Sequence, residues 1–369
     1  MFPLSAFLIS IGAVSAISAF LALLMVIADA TIANYGEVKL TINDDHEYTV
    51  RGGKPLLGTL MEQEVFIPSA CGGRGSCGLC KVVVEEGAGQ YLPTELPWIS
   101  EEEREKNVRL SCQLKVKQDM RIRIPEELFN VKEYATTVKR IRDLTHDIKE
   151  VTLTLNDPDT IDMVVGQFIQ FQVPEYELTD EPVYRAYSMS SPPSSTGEIE
   201  LEIRLVPNGI CTTYVHKYLK EGDQVTINGP YGDFFLRDTE REVVCIAGGS
   251  GMAPIKAILL DMLDKGINRR VRYFFGARTK KDLFLIDEMR ELEKKLPNFQ
   301  FIPALSEPEP EDEWEGEVGL ITDVLDRHME SGENVEGYLC GSPGMIDACV
   351  NVLTKNGVPE DLIYFDKFG

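Results

Sequence analysis

The sequence predicts a multidomain chain: an apolar N-terminal helix, a small domain of mixed strands built around a cysteine loop, an antiparallel β-barrel, and an α/β domain with a parallel sheet. Three observations carry that prediction. From Phe2 to Ala28 no residue is charged, and Leu, Ile, Val, Phe, Ala and Met dominate the run. Cys71, Cys77 and Cys80 stand close together, separated by glycines, and Cys112 follows. The apolar pattern then changes period. Short alternating strands succeed one another over about 134–238, and from Glu242 apolar strands alternate with helices.

At 369 residues the chain has room for two or three domains of ordinary size. The expected segments are 1–33, 34–128, 129–239 and 240–369. A formal net charge of −23 excludes nucleic acid as a partner class, because its phosphates would be repelled. The apolar run is long enough to span a bilayer. A cleaved signal peptide is the other reading, with Ala28-Asp29-Ala30 as a small-x-small site. No basic region precedes the run, however, and it exceeds a normal signal core, which favours a retained single-pass transmembrane helix. Lys39, Arg51 and Lys54 on its C-terminal side agree with a cytoplasmic body.

In 34–128, Val38–Ile42 and Glu47–Val50 read as strands around the Asn43-Asp44-Asp45 turn, and Pro55–Glu62 as a short helix. Lys81–Glu85 and Met120–Ile124 are further strands, and Pro125–Phe129 a linker. The cysteines among them are hard to explain as independent core thiols. An iron–sulfur cluster needs four thiolates converging on a compact inorganic core. Gly72, Gly73, Gly75 and Gly78 let the backbone wrap it with amide N–H groups turned to the sulfides. The spacing C-x5-C-x2-C-x31-C departs from the plant-type [2Fe–2S] pattern by one residue in the first gap. Structural zinc sites usually show two C-x2-C pairs, and here only Cys77 and Cys80 form one. A disulfide framework belongs to small secreted scaffolds, which this chain does not resemble. Cys71, Cys77, Cys80 and Cys112 are therefore read as the ligands of one [2Fe–2S] cluster. Cys211, Cys245, Cys340 and Cys349 are scattered, and buried thiol is their default reading.

The barrel strands are Ala135–Arg142, Ile148–Leu155, Gln167–Val173, Arg185–Ser190, Glu198–Leu205 and Asp223–Asn228, with one helix over Thr212–Leu219. On the fourth strand Arg185 offers a bidentate fork for a pyrophosphate. Tyr187 shares its face and can stack on a flat ring, and Ser188 can hydrogen-bond that ring. Gly166-Gln167-Phe168 lies upstream, and Gly209-Ile210-Cys211-Thr212 opens a helix whose free N–H groups would face a diphosphate. The α/β strands are Val243–Ala247, Val271–Gly276, Phe299–Leu305 and Gly337–Cys340. Helices alternate with them at Ala253–Asp264, Leu283–Leu296, Gly319–Met329 and Pro343–Lys355. Gly249, Gly251 and Pro254 belong to the turn between the first of these strands and its helix. That is the context of a dinucleotide pyrophosphate at a helix N-terminus. The acidic, proline-rich stretch Glu307–Glu317 reads as an exposed loop.

The R-x-Y-S and G-x-G-x-x-P motifs resemble those of the ferredoxin–NADP reductase superfamily, and the cysteine domain resembles the β-grasp of plant-type ferredoxins. The order of segments narrows this. With Gly229–Phe235, Gly276-Ala277-Arg278 and the terminal Asp366-Lys367-Phe368-Gly369, the whole chain resembles the family of F subunits of the sodium-translocating NADH:quinone reductases. The resemblance implies FAD, one [2Fe–2S] cluster and NADH as donor. It also implies integral membrane subunits of a respiratory complex as partners, quinone as final acceptor, and a place at the bacterial inner membrane. Cys340 and Gly341, in a variant of the superfamily's C-G-P-P motif, would approach the nicotinamide. Phe368 would stack on the flavin where nicotinamide enters, Arg278 would face the adenosine, and Tyr187 and Ser188 would border the reacting ring.

NADH yields two electrons as a hydride and the cluster accepts one, so the flavin is the converter between them. No acid–base triad is required, and His46, His146, His216 and His328 are scattered. Soluble reductases of bacterial oxygenases share most of these motifs without the apolar N-terminus, and NAD–ferredoxin reductases have the same parts. Both stay open as alternatives, as does a structural component with inactive motifs. Arg278, Lys280 and Lys281 leave NADH and NADPH undecided by composition. The resemblance and the negative net charge favour NADH.

Overall fold

The computed structural model describes residues 4–31 and 35–367, with side chains over 11–26 and 35–367. Helix α1 runs Leu4–Thr31. Its described side chains are exposed throughout, Met25 by 73% and Val26 by 65%. Among the described residues no helix is long and apolar enough to cross a membrane. The stretch 11–26 rises only about 24 Å, short of the roughly 30 Å of a bilayer core. At the place of the expected transmembrane helix stands a helix with an exposed apolar surface. The rest of that expected span, 1–10 and 27–33, lies outside the residues whose side chains are described. Beyond it the chain forms two compact units: residues up to Ile67 with Gly73–Asn130, and Pro68–Gly72 with Val131 onward.

The first unit contains β1 (Glu37–Ile42), β2 (His46–Arg51), α2 (Leu56–Met61), β3 (Lys81–Glu86), α3 (Glu101–Glu105), β4 (Val108–Leu110) and β5 (Met120–Arg123). Its sheet runs β2-β1-β5-β3-β4, with β1 antiparallel to β2 and parallel to β5. This mixed sheet with a helix laid across it is a β-grasp. The β1–β2 turn puts Asn43 and Asp44 at positive φ, which these residue types tolerate. The Asn43 amide then donates to the Ile124 carbonyl and accepts from the Ile124 N–H, both at 2.9 Å, fixing the end of β5. Leu40, Ile42, Leu56, Leu60, Leu110 and Ile122 are fully buried, and each contributes on the order of 2 kcal/mol by leaving water.

The second unit opens with a barrel: β6 (Lys132–Asp143), β7 (Ile148–Asp157), β8 (Phe168–Val173), β9 (Val183–Ser188), β10 (Glu198–Arg204), α4 (Ile210–Lys217) and β11 (Gln224–Tyr231). The strand order is β10-β7-β6-β11-β8-β9, every pair antiparallel. A bridge between Met189 and Leu201 brings the last strand back to the first. Alternation along β10 turns Ile199, Leu201 and Ile203 into the barrel, all fully buried. Helix α4 begins two residues before the expected Thr212. The Thr212 hydroxyl is engaged in closing the preceding turn, accepting from the Val206 N–H at 3.1 Å, and Gly209 takes the cap position.

The parallel sheet follows: β12 (Glu242–Gly248), α5 (Met252–Lys265), β13 (Val271–Ala277), α6 (Ile286–Lys295), β14 (Phe299–Leu305), β15 (Glu317–Val318), α7 (Ile321–His328), β16 (Val335–Gly341), α8 (Pro343–Lys355) and β17 (Ile363–Lys367). Its order is β15-β14-β13-β12-β16-β17. Helices α5 and α6 cover one face and α7 and α8 the other, each over its own apolar cluster. Burial on both sides is why the central strands read as continuous apolar runs. The C-terminal residues, unremarkable as a tail by composition, form the edge strand β17 parallel to β16. The Glu307–Glu317 stretch, expected as an exposed loop, contains a helical turn at Pro310–Asp312, the buried Asp312 and the start of β15. Arg269 ties the barrel's exit to this sheet, donating to the carbonyls of Arg237 and Arg241 and to the buried Glu336.

Candidate functional site

In the first unit, Cys77, Cys80 and Cys112 lie on and beside the glycine loop that precedes β3. Cys71 falls in the short segment grouped with the second unit. The chain can turn as it does at Gly78 only because no Cβ is present: φ is +71°, and a Cβ there would lie 2.9 Å from the Trp98 ring. Cys80 and Cys112 are buried. Their thiols hydrogen-bond each other, and this contact, with burial and the like charge, pushes the Cys80 thiol far above its ordinary value. Two thiols gathered in that way suit a shared cation better than they suit each other. The Gln113 side chain donates toward the Cys112 sulfur at 3.5 Å, the kind of contact that tunes a cluster's sulfurs. None of the eight cysteines forms a disulfide. Among the described residues, no three Cys, His, Asp or Glu side chains are drawn together tightly enough to hold a single metal ion. The donor chemistry, three thiols in the glycine-rich Cys71–Cys80 stretch and a fourth at Cys112 after β4, fits a [2Fe–2S] cluster.

The flavin candidates lie along β8 and β9. Arg185 sits opposite Phe171, Tyr187 opposite Ile169, and Ser188 opposite Phe168. Arg185 donates to the Tyr184 carbonyl at 2.7 Å, which fixes its guanidinium at the strand surface. Tyr187 packs edge-on to Phe171, with ring centroids 6.2 Å apart. Burial first, then Cys211, pushes its hydroxyl well above the usual tyrosine range, so it remains a proton donor. Gly166 leads into β8, Gln167 bridges the Val164 N–H and the Gly232 carbonyl, and Phe168 stacks on Tyr231. Gly209 caps α4 without a side-chain hydrogen bond, at a helix N-terminus of the kind that favours anions. The Cys211 side chain is buried and donates toward the Val183 carbonyl.

The nucleotide candidates meet at the C-terminal ends of three neighbouring strands. Ala247 pairs with Cys340 across β12 and β16, and Cys340 with Asp366 across β16 and β17. Gly251 must lack a Cβ, because one there would lie 2.2 Å from the Cys340 carbonyl oxygen. The glycine turn and the Cys340-Gly341 bend therefore touch. Gly249 lies beside the Arg204 guanidinium. Pro254 is buried in the first turn of α5, whose N-terminus has no side-chain cap. Arg278 follows β13 and pairs with Glu307 at 2.8 Å. Phe368 lies outside the described residues.

Sequence reasoning missed two residues, one at this site and one beside the cysteines. Asp366 reaches the Ser188 hydroxyl at 3.5 Å, linking β17 to the flavin strand. Burial pushes its carboxyl up to about 6, with Ser188 opposing and Asp233 adding to the shift. Its place in the terminal Asp-x-Phe-Gly was the available signal. Gln113 had none beyond its neighbour Cys112. Burial, Asp366 and Glu202 hold the Cys340 thiol well above its usual range, so it is a neutral packing surface rather than a nucleophile.

A β-grasp with a cysteine loop, an antiparallel barrel bearing R-x-Y-S and a parallel sheet with a glycine turn define an iron–sulfur flavoprotein reductase. Family models agree along the chain: a 2Fe-2S iron-sulfur cluster binding domain over residues 40–117, an oxidoreductase FAD-binding domain over 135–236, and an oxidoreductase NAD-binding domain over 245–351. The F subunit of the Na(+)-translocating NADH-quinone reductase of Neisseria gonorrhoeae is 38% identical, over 95% of this chain and 96% of its own. Its counterpart in Pseudomonas aeruginosa is 38% identical over 98% of both. The chain belongs to the family of F subunits of Na(+)-translocating NADH-quinone reductases. Among solved structures, an Amycolatopsis cytochrome P450 reductase superposes with a TM-score of 0.72 at 27% identity, covering 90% of this chain and 98% of its own. The ferredoxin reductase of carbazole 1,9a-dioxygenase does so with 0.69 at 30%, with the same coverage. The chain is thus an oxidoreductase with NAD, FAD and [2Fe–2S] domains.

Proposed function

We propose that this chain is the electron-input subunit of a membrane respiratory complex. It takes hydride from NADH and delivers single electrons through its cluster to integral membrane subunits, with quinone as final acceptor in a sodium-pumping assembly. The near full-length likeness to the Neisseria and Pseudomonas chains supports the partners and the acceptor. The carrying observation is the contact of the glycine turn at Gly251 with Cys340, beside the Asp366–Ser188 link to the flavin strand. When bound, the flavin supplies the conversion between a two-electron donor and a one-electron acceptor. The chain's part is to position. Arg185 and the α4 amides would hold the flavin diphosphate, Tyr187 and Ser188 its ring, and the α5 amides with Gly249 and Gly251 the dinucleotide. Arg278 would face the adenosine, and Cys340, Gly341 and Phe368 would border the nicotinamide. Cys71, Cys77, Cys80 and Cys112 would ligate the cluster.

Helix α1 would anchor the chain in the inner membrane with its domains on the cytoplasmic side. The absence of charge from Phe2 to Ala28 and the exposed described side chains support this. A chain lacking 1–33 should be released from membranes and still reduce artificial acceptors with NADH. Cys80→Ser or Cys112→Ser should abolish the [2Fe–2S] EPR signal while NADH still bleaches the flavin. Loss of flavin reduction in a fully loaded, folded truncation would overturn the modular reading. The oxygenase-reductase alternative draws on the two solved structures above. A soluble native form beginning near Thr31 would favour it.

A further inference from the structure

We infer that the acidic segment Glu307–Asp312 is the device by which this nucleotide site excludes dinucleotides carrying a 2′-phosphate. The inference rests on the NADH-oxidising reading above. In parallel dinucleotide-binding sheets, the residues after the second strand face the adenine ribose. Here that strand is β13, whose Gly276 pairs with Gly248 at the start of the glycine turn. The loop after it carries Arg278, Lys280 and Lys281. By composition these are the groups that would receive a 2′-phosphate.

Each of the three is already engaged, and always by the same neighbouring segment. The backbone brings them together: the Ser306 N–H donates to the Ala277 carbonyl at 3.0 Å and the Glu307 N–H to the Arg278 carbonyl at 2.8 Å. Arg278 then presents both Nε and Nη2 to one Glu307 oxygen at 2.8 Å. Lys281 pairs with Glu309 at 2.8 Å. Lys280 donates its ammonium to the Asp312 carbonyl at 2.7 Å. The buried Asp312 carboxylate accepts from the Lys280 and Glu309 N–H groups, so the two loops are stitched through it. Glu307 and Glu309 hold the Arg278 and Lys281 side chains more firmly protonated than usual.

Exposed ion pairs are individually weak. Their effect here lies in occupancy and field. A 2′-phosphate would have to displace carboxylates from cations, and would do so in the field of Glu311 as well. A ribose hydroxyl meets neither obstacle, and a carboxylate can accept its hydrogen bond. The segment expected to be a solvated loop is thus the partner that turns a basic-looking loop into one selective for the unphosphorylated cofactor.

The test uses the full chain with FAD and cluster, carrying Glu307→Gln with Glu309→Gln, and reads kcat/KM for NADH and NADPH. The NADPH-to-NADH ratio should rise by about tenfold or more, and the rise should shrink as salt screens the remaining charges. Adding Arg278→Ala and Lys281→Ala should cancel the gain, because the guanidinium and ammonium freed from Glu307 and Glu309 are what bind the phosphate. An unchanged ratio in E307Q/E309Q, with flavin content equal to the parent, overturns the inference. So does a gain that survives removal of both Arg278 and Lys281. Failure of the underlying reading would look different: the parent chain itself would not oxidise NADH.

Discussion

Replacing Glu202 with Gln tests a carboxyl that the fold holds protonated. Glu202 is 3% exposed on β10, and neither of its oxygens has a hydrogen-bond partner among the described residues. It stands directly opposite Glu150 on β7. Around it lie Lys256 of α5, Glu200 of its own strand, Glu150, Glu288 of α6, Tyr273 of β13 and Cys340 of β16. The cations in this cluster have other partners. Arg140 and Arg142 donate to Glu150 at 2.8 and 2.7 Å, Arg142 also to Glu288 at 3.0 Å, and Lys256 pairs with Glu200. Three carboxylates against three cations balance only if Glu202 is neutral. Burial first, opposed by Lys256 and joined by Glu200, Glu150 and Glu288, pushes it up to about 8.

An unfolded glutamate titrates near 4.3, so between roughly pH 4.3 and 8 the folded chain binds a proton that the unfolded chain does not. Stability therefore falls as pH rises through that window and levels off above it. At 1.36 kcal/mol per pH unit, about 2 kcal/mol is lost between pH 6 and 8 through this group alone. Glu202→Gln keeps the shape and removes the titration. Urea unfolding of the flavin-loaded chain, followed by flavin release at pH 6, 7, 8 and 8.5, should show the variant gaining about 2 kcal/mol on the parent across the series. Parallel pH profiles, or a parent that gains on the variant, would mean that Glu202 is ionised and solvated, and would refute the reasoning.

Glu95→Ala should destabilise the first unit by about 3–5 kcal/mol, since it strands the buried Arg109 and removes the acceptor of the Leu92 and Leu110 amides. Early loss of cluster absorbance in urea reads it. Burial opposes the charge of Glu95, but Arg109 and the two amides outweigh it and hold the carboxyl below its usual value, so this stabilisation persists at neutral pH and is lost only in acid. Gly251→Ala would force a Cβ against the Cys340 carbonyl. kcat/KM for NADH should fall more than about tenfold, some 1.4 kcal/mol of transition-state binding, with flavin content unchanged.

The sequence by itself determined the parts. Three thiols on a glycine-rich turn with a fourth further on, a strand carrying arginine, tyrosine and serine within four positions, and a glycine turn between an apolar strand and a helix are each legible in the sequence. Period alone separated barrel from parallel sheet, because strands buried on both faces read as unbroken apolar runs while barrel strands alternate. What tertiary structure decided was which parts meet. The edge strand β17 was illegible because Ile363–Lys367 has one face in water and so no strong pattern; only its pairing with β16 brings Asp366 to Cys340 and Ser188. Glu202 looked like one more polar residue on an alternating strand until α5 and α6 closed over it. The lysines after β13 kept their apparent affinity for phosphate until Glu307–Asp312, some thirty positions later, was folded beside them. Each of these depends on long-range placement, since the energy of a charge is set by what surrounds it and not by its place in the chain.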